Sequence, residues 1–306
     1  MKYSLSLPVD QVEPVDEFCT ATAVMEMAAA AEAAGFAAVH ATEHPFPSWV
    51  GTDMGGHQAL DPLVCMAFVA AATSQLRLHF NAFIVPYRNP FLGAKGLGDL
   101  DAMSGGRVIA GLAPGYLAGE FDALGVRLED RAELLDEAIP AMKAAWTGEA
   151  VHLESSRWVA RGNVMLPRPH QRPHPPIWIG GNSRAAIRRV VHHAQGWMPF
   201  PAKPNEATAV RTASITSIDD LRVRIDALRA EADAIGRTEP IDICMTPFTH
   251  QHHPRGQENY DPPVLRDEAE QLAELGVTWL SVKLRSPDRG VFLDYIERFG
   301  KEVINA

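Results

Sequence analysis

"IWIGGNSRAAIRR", residues 177–189, sets an apolar run, two glycines and a basic amphipathic stretch in immediate succession. Ile177-Trp178-Ile179 reads as a buried strand, and the stretch from Arg184 as the helix that follows it. The bare backbone at Gly180 and Gly181, backed by Asn182 and Ser183, leaves two readings open. One is an anion site. Free N–H groups and the positive dipole end at a helix N-terminus hold a phosphate, Asn182 or Ser183 adds a donor, and Arg184 and Arg188, one turn apart, add charge. The other is a tight strand-to-helix turn in which Asn182 merely caps the helix.

Outward from this unit the same alternation repeats. Toward the N-terminus, strands are expected at 3–7, 36–42, 76–85 and 107–113, and helices at 19–35, 59–73, 90–104 and 131–146. Gly35 stops the first helix, Asp61 is placed to cap the second ahead of Pro62, and Pro140 should kink the fourth. Toward the C-terminus, strands are expected near 196–200, 241–247 and 277–284, with helices at 184–194, 218–235, 264–275 and 289–303. Eight strands alternating with eight helices indicate parallel pairing and a closed (β/α)8 barrel, one domain over residues 1–306. Residues 147–176 break the rhythm and read as an extended insertion ending in a proline-rich connector. An open doubly wound sheet would call for a dinucleotide fingerprint, and "GLAPGYLAG" (111–119) spaces its glycines wrongly for one.

Composition narrows the partners. The chain of 306 residues is 46% hydrophobic with a formal charge of −10. Such an acidic surface repels nucleic acid and anionic membranes, so neither is an expected partner. Three cysteines, Cys19, Cys65 and Cys244, stand far apart in no CxxC pattern, which argues against disulfides and thiolate metal sites. With no signal-like start and no long apolar run, the expectation is a soluble cytoplasmic protein.

In such a barrel the chemistry sits at the C-terminal ends of the strands. His44, one residue past Glu43 at the end of the second strand, is either an acid–base group or a histidine packed in its loop. His250, His252 and His253 tempt a metal reading, but two are adjacent and no carboxylate stands at helix spacing, so no metal is expected. Arg88, Lys95 and Arg107 are either helpers of an anionic ligand or solvated charges.

The stretches "HQALDPLVCMAFVAAATSQLRL" (57–78), "VPYRNPFLGAKGLGDLDAMSGGRVIAGLAPGY" (85–116), "EFDALG" (120–125) and "RPHPPIWIGGNSRAAIRRVVHHAQGWMPF" (172–200) resemble the luciferase-like flavin and deazaflavin oxidoreductases almost end to end. The first stretch and "YRNP" look most like the branch that uses the deazaflavin coenzyme F420. The resemblance implies a (β/α)8 barrel with an insertion. It assigns Gly180, Gly181, Asn182, Ser183 and Arg184 to the cofactor phosphate, and Asn81, Ala82, Phe83 and Gly115 to the cofactor as well. It implies a non-proline cis peptide at the end of the third strand, expected at Ala82–Phe83. It makes His44 the acid or base, Glu43 its orienting group and Tyr116 a substrate or proton partner. Two departures stand out. Tyr116 occupies a place where some deazaflavin dehydrogenases carry glutamate, and Ala82-Phe83 replaces a smaller Gly-Val pair, so Phe83 either crowds the ring or backs it.

Three activities follow from the resemblance. The first is an F420-dependent oxidoreductase that moves a hydride between deazaflavin C5 and a small organic substrate. The second is an FMN-dependent monooxygenase using dioxygen and reduced flavin from a separate reductase. The third is a non-catalytic cofactor-binding barrel. A barrel aldolase or isomerase would want a lysine or paired carboxylates at strand ends, and neither is present. Homodimers are common among such relatives. The segments 45–58 and 248–262, with Phe46, Trp49, Met54, Phe248 and Tyr260, are expected to form a lid over a partly apolar pocket.

Overall fold

The computed structural model describes residues 1–48, 57–155, 157–251 and 260–306. Its strands are β1 (Lys2–Ser6), β2 (Ala38–Ala41), β3 (Arg77–Phe80), β4 (Phe83–Ile84), β5 (Val108–Ala113), β6 (Val151–Glu154), β7 (Val159–Asn163), β8 (Ile177–Gly180), β9 (Gly196–Met198), β10 (Asp242–Met245) and β11 (Trp279–Val282). Eight of them form the barrel, in the order β3-β2-β1-β11-β10-β9-β8-β5, and pairing of β3 with β5 closes it. Every pairing in it is parallel, so each strand needs a crossover, and helices supply these. The strands are short apolar runs such as "VIAGLA" and "IWIG", as a sheet buried on both faces requires.

The expected third strand, 76–85, is present as two pieces. β3 and β4 both pair with β5, and the cis Asn81–Ala82 peptide lies between them. The cis bond was expected one position later, at Ala82–Phe83. Where β3 and β5 meet, Gly111 is obligatory: a Cβ there would stand 1.8 Å from the Phe80 carbonyl oxygen.

The helices are α1 (Val15–Phe18), α2 (Ala21–Ala34), α3 (Pro62–Ala72), α4 (Pro90–Met103), α5 (Ala118–Ala123), α6 (Arg131–Trp146), α7 (Arg184–His193), α8 (Pro204–Ala209), α9 (Ile218–Ala234), α10 (Pro262–Glu274) and α11 (Arg289–Phe299). All eight expected helices are present, and α1, α5 and α8 are short additions to loops. Asp61 caps α3 through the Leu63 and Val64 N–H groups, and Gly35 ends α2 with φ +95°. α4 forms despite three internal glycines. Gly93 and Gly98 are buried against Phe83 and Trp146, so packing outweighs their poor helix propensity. The insertion carries the antiparallel hairpin β6–β7.

Arg107, just before β5, and Lys95, within α4, are structural. Arg107 binds the Ala70, Leu76 and Ser104 carbonyls and Thr73 Oγ1, which settles it as a brace and not a ligand group. Lys95 pairs with Asp99 at 2.5 Å and with the Leu166 carbonyl. The three cysteines are free thiols. Among the described residues no helix is long and apolar enough to cross a membrane, and no group of three or more His, Cys, Asp or Glu could hold a metal ion. His252, His253, Trp49 and Met54 lie outside the described residues.

Candidate active site

The C-terminal ends of the strands open into a cavity of about 400 Å³. Its wall is built from Thr42, Glu43 and His44 after β2, Asn81 and Ala82 after β3, Pro114 to Tyr116 after β5, and Gly180, Gly181 and Ser183 after β8. Met198 and Phe200 close the side after β9. Two chemically different halves face each other across it.

The β2 half holds His44, Tyr116 and the buried carboxylates Glu43 and Glu120. His44 is 6% exposed, and its Nδ1 lies 3.2 Å from Glu120 Oε2. A carboxylate only accepts, so Nδ1 carries hydrogen and donates, leaving Nε2 as the basic nitrogen. Glu120 also accepts from the Tyr87 hydroxyl at 2.6 Å and the Phe46 N–H at 3.4 Å. Burial pushes the Glu120 carboxyl up, but the hydrogen bonds from His44, Tyr87 and Phe46 outweigh it and hold the group below its ordinary range. It is therefore an anion that orients His44. Tyr116 stands edge-on to His44 with ring centroids 6.1 Å apart. Burial, then the Glu120 charge, raises its phenol, which keeps it protonated and able to donate. His57 lies edge-on to the His44 ring at 4.4 Å and also lines the cavity.

The expected role of Glu43 is corrected by this geometry. Its carboxylate accepts from the Ile84 N–H at 2.5 Å and forms an ion pair with Arg88, whose guanidinium lies 4.0 Å over the Phe83 ring. Glu43 thus fastens the β2 loop to the segment after the cis bond, and Glu120 orients the histidine. Burial pushes the Glu43 carboxyl up against the pull of Arg88. Arg88 is accordingly a structural ion-pair partner. Phe83 is 1% exposed, packs on Phe80 and Gly93, and does not line the cavity, so it neither crowds nor backs a ligand there. Gly115, with φ +77°, turns the chain after β5 and does line it.

The β8 half is the basic one. Gly181 has φ +108°, a conformation that L residues rarely adopt, while the space around both glycines would admit a Cβ. Ser183, not Asn182, caps α7, accepting from the Ala186 N–H at 3.2 Å. The first two N–H groups of the helix, on Arg184 and Ala185, then have no acceptor within the helix. Asn182 is fully buried and faces away from the cavity. Its side chain binds the Phe200 and Ala213 carbonyls and the Phe200 N–H, stapling the glycine turn to the loops after β9. The Arg184 side chain is exposed and off the cavity wall. The cationic groups that do line it are Arg131 at the start of α6, Arg189 on α7 and Arg211 after α8. Arg189 is 8% exposed and pairs with Asp136 at 2.5 Å. Burial, and then repulsion from Arg211, lowers the Arg131 pKa, with Arg189 adding to it. A guanidinium repelled by two others is positioned to gain from an anion beside it.

Glu120, buried behind His44, and three groups on the cavity wall, His57, Arg131 and Arg211, escaped the sequence reading. Glu120 sits in the "EFDALG" stretch on the short helix α5, and Arg211 holds φ +55° in a loop, so no periodicity marks either.

Residues 1–257 match the luciferase-like monooxygenase family. The chain belongs to that family. It is 30% identical over 234 residues to an uncharacterized protein of Mycobacterium tuberculosis (strain ATCC 25618 / H37Rv), covering 72% of this chain and 75% of that one. It is 29% identical over 176 residues to the FMNH(2)-dependent dimethylsulfone monooxygenase of Pseudomonas putida, 56% of this chain and 44% of that one. Among solved structures, monooxygenase RslO1 from Streptomyces bottropensis superposes with a TM-score of 0.78 at 21% identity, over 100% of this chain and 99% of that one. The coenzyme F420 dependent tetrahydromethanopterin reductase from Methanopyrus kandleri does so at 0.74 and 18%, over 99% and 98%. These likenesses establish the barrel fold. The chain is an enzyme of the luciferase-like oxidoreductase and monooxygenase family, whose relatives use a flavin or a deazaflavin on small molecules.

Proposed function

We propose that this chain is an F420-dependent oxidoreductase acting on a small organic substrate. The observation that carries the reading is the polarised cavity, with an oriented histidine on one wall and a helix N-terminus among arginines on the other. The residues present fit a phosphate-bearing ring cofactor: two helix N–H groups, Gly180 and Gly181, and Arg131, Arg189 and Arg211 for the phosphate, with Asn81 and Ala82 on the ring side. A second groove, lined by Arg188, Arg189 and His192 beside Asp136, adjoins the basic wall through Ala185 and Arg189. Its basic groups suit a cofactor whose anionic chain continues past the phosphate, as the F420 tail does and FMN does not.

When bound, a deazaflavin supplies hydride transfer at its carbon 5. The protein's own part is proton handling and exclusion of water. His44 Nε2 takes a proton from a substrate hydroxyl during oxidation, or returns it during reduction, and Glu120 stabilises the imidazolium that forms. Tyr116 donates a hydrogen bond to the same substrate oxygen. The FMN-dependent monooxygenase remains the second reading, favoured by the dimethylsulfone monooxygenase likeness, and would require a separate reductase.

Parallel fluorescence titrations with the deazaflavin and with FMN test the assignment, repeated on Gly181→Asp. Asp at φ +108° is strained and puts a negative charge among the arginines, so binding should fall about 100-fold or more. Tight deazaflavin and weak FMN binding support the first reading. Preference for FMN moves the chain to the monooxygenase reading. Binding of neither removes both.

A further inference from the structure

Four neighbouring strands send polar side chains into the barrel interior at one level. Ser4 on β1 is in register with Ser281 on β11, and His40 on β2 with His79 on β3. Ser4 and His79 are wholly buried, and His40 and Ser281 are each 6% exposed. Branched apolar residues usually fill such layers, and a buried polar group is costly unless bonded. These are bonded in a single file. Asn81 Nδ2 lies 3.3 Å from Ser281 Oγ, and Ser281 Oγ 3.3 Å from His40 Nε2. His40 Nδ1 lies 3.0 Å from Ser4 Oγ, and Ser4 Oγ 3.0 Å from His79 Nδ1. His79 Nε2 ends the file 3.0 Å from Met198 Sδ.

The hydrogens along this file follow from its closed end. A thioether has no proton to give, so His79 Nε2 carries the hydrogen that points at Met198. His79 is neutral, because burial drives its pKa well below the ordinary value, with His40 adding to the effect. Its Nδ1 is then bare and takes the Ser4 hydroxyl proton. Ser4 Oγ must accept from His40 Nδ1–H. Burial, then Lys283, brings His40 down to about 3, so it too is neutral, and its bare Nε2 takes the Ser281 proton. Ser281 Oγ is left only to accept, which selects the amide N–H of Asn81 over its carbonyl. Every donor points the same way, from Asn81 to Met198, and aligned bonds polarise one another. The file cannot relay protons, because its last member neither holds nor passes one.

Both ends of the file, Asn81 and Met198, line the active-site cavity. We propose that the His40–His79 file is a positioning device that locks the Asn81 amide with its carbonyl oxygen offered to the cavity. The site therefore takes an N–H or O–H donor of its ligand at that point and disfavours a lone-pair-bearing atom. The ligand identity rests on the cofactor reading above; the direction of the file does not.

Long-range ¹H–¹⁵N spectra of the full chain, without ligand, read the ring protons directly. Two non-titrating neutral rings of opposite tautomer are expected, His40 with Nδ1–H and His79 with Nε2–H, assigned by their loss in His40→Gln and His79→Gln. A proton on His40 Nε2, or a second proton on either ring between pH 5 and 8, overturns the proposal. Transmission is read in Ser4→Ala, three hydrogen bonds from Asn81 and off the cavity wall, with Ser4→Cys as the milder variant. Either should mix the His40 tautomers and weaken FMN or deazaflavin binding by about three- to tenfold, and Ser281→Ala should weaken it at least as much. Loss of affinity in Ser281→Ala, with tautomers and affinity both unmoved in Ser4→Ala and Ser4→Cys, reduces the file to a local pair and overturns it. If neither cofactor binds the unmodified chain, the cofactor reading fails, and the tautomers alone decide the file.

Discussion

The two walls of the cavity handle charge in opposite ways. On the β2 wall each carboxylate is consumed by neighbours: Glu43 by Arg88 and the Ile84 N–H, Glu120 by His44, Tyr87 and the Phe46 N–H. What that wall offers a ligand is the oriented His44 imidazole, the His57 ring against it and the Tyr116 phenol. On the β8 wall three guanidiniums converge, and Asp136 pairs with only one of them, Arg189, so positive charge is in excess. A protein with a formal charge of −10 concentrates cations there. Under the proposed function, the division separates turnover from anchoring. Substitutions on one wall should change rates, and substitutions on the other should change affinity.

His44→Ala should break the comparison most severely. Loss of a positioned acid–base group typically costs 10²–10⁴ in rate, so kcat should fall by about 10³. Cofactor Kd, read by fluorescence, should stay within about threefold. An equal loss in Kd would make His44 an anchoring residue and erase the distinction. Arg131→Ala tests the opposite wall and should have the next largest effect. Hydrogen bonds to charged groups contribute about 1.5–3 kcal/mol, so Kd should rise at least about tenfold, more steeply at low salt. kcat at saturating cofactor should hold.

The walls also differ in how far the sequence exposed them. The Gly180-Gly181 turn was legible because a positive-φ glycine between an apolar strand and a capped helix is a local event, written within a few residues. Even so, the plain-turn reading placed Asn182 at the cap that Ser183 supplies, since both types cap well and only the Phe200 and Ala213 contacts decide between them. His44 was legible from its place at a strand end. Its partner was not: Glu120 lies 76 residues away on a six-residue helix, while the adjacent Glu43 faces elsewhere. Alternation of side chains in an extended segment sends neighbours to opposite sides, and that favours a distant carboxylate over an adjacent one. Arg131 and Arg211 reach the cavity only because the βα loops converge at one end of a closed barrel. The eight-strand count followed from short apolar runs. The break within the third strand did not, because "LRLHFNAFIV" is continuous as a pattern and the Asn81–Ala82 interruption is a backbone event.

Glu120→Gln should sharpen the comparison with the smallest effect, and through pH. The Glu120 carboxyl is held below its ordinary range: burial opposes this, but the bonds from His44, Tyr87 and Phe46 prevail. A carboxyl with a depressed folded-state pKa adds stability that is complete above its unfolded value of about 4.3. That stability is lost as pH falls through the folded value. Gln keeps the shape and cannot ionise, so at pH 7 the variant should be less stable by about 1–2 kcal/mol in urea melts. The gap should begin to shrink below about pH 4.3, where the unfolded chain takes up its proton, and close further as the native carboxyl is protonated at lower pH. Carboxylates elsewhere, Glu32 and Asp220 among them, titrate alike in both proteins and cancel in the difference. A gap that stays constant to pH 3 would mean that Glu120 acts as a neutral hydrogen-bonding group. His44 would then lack a charged partner, and the β2 wall would no longer differ from an ordinary polar pocket.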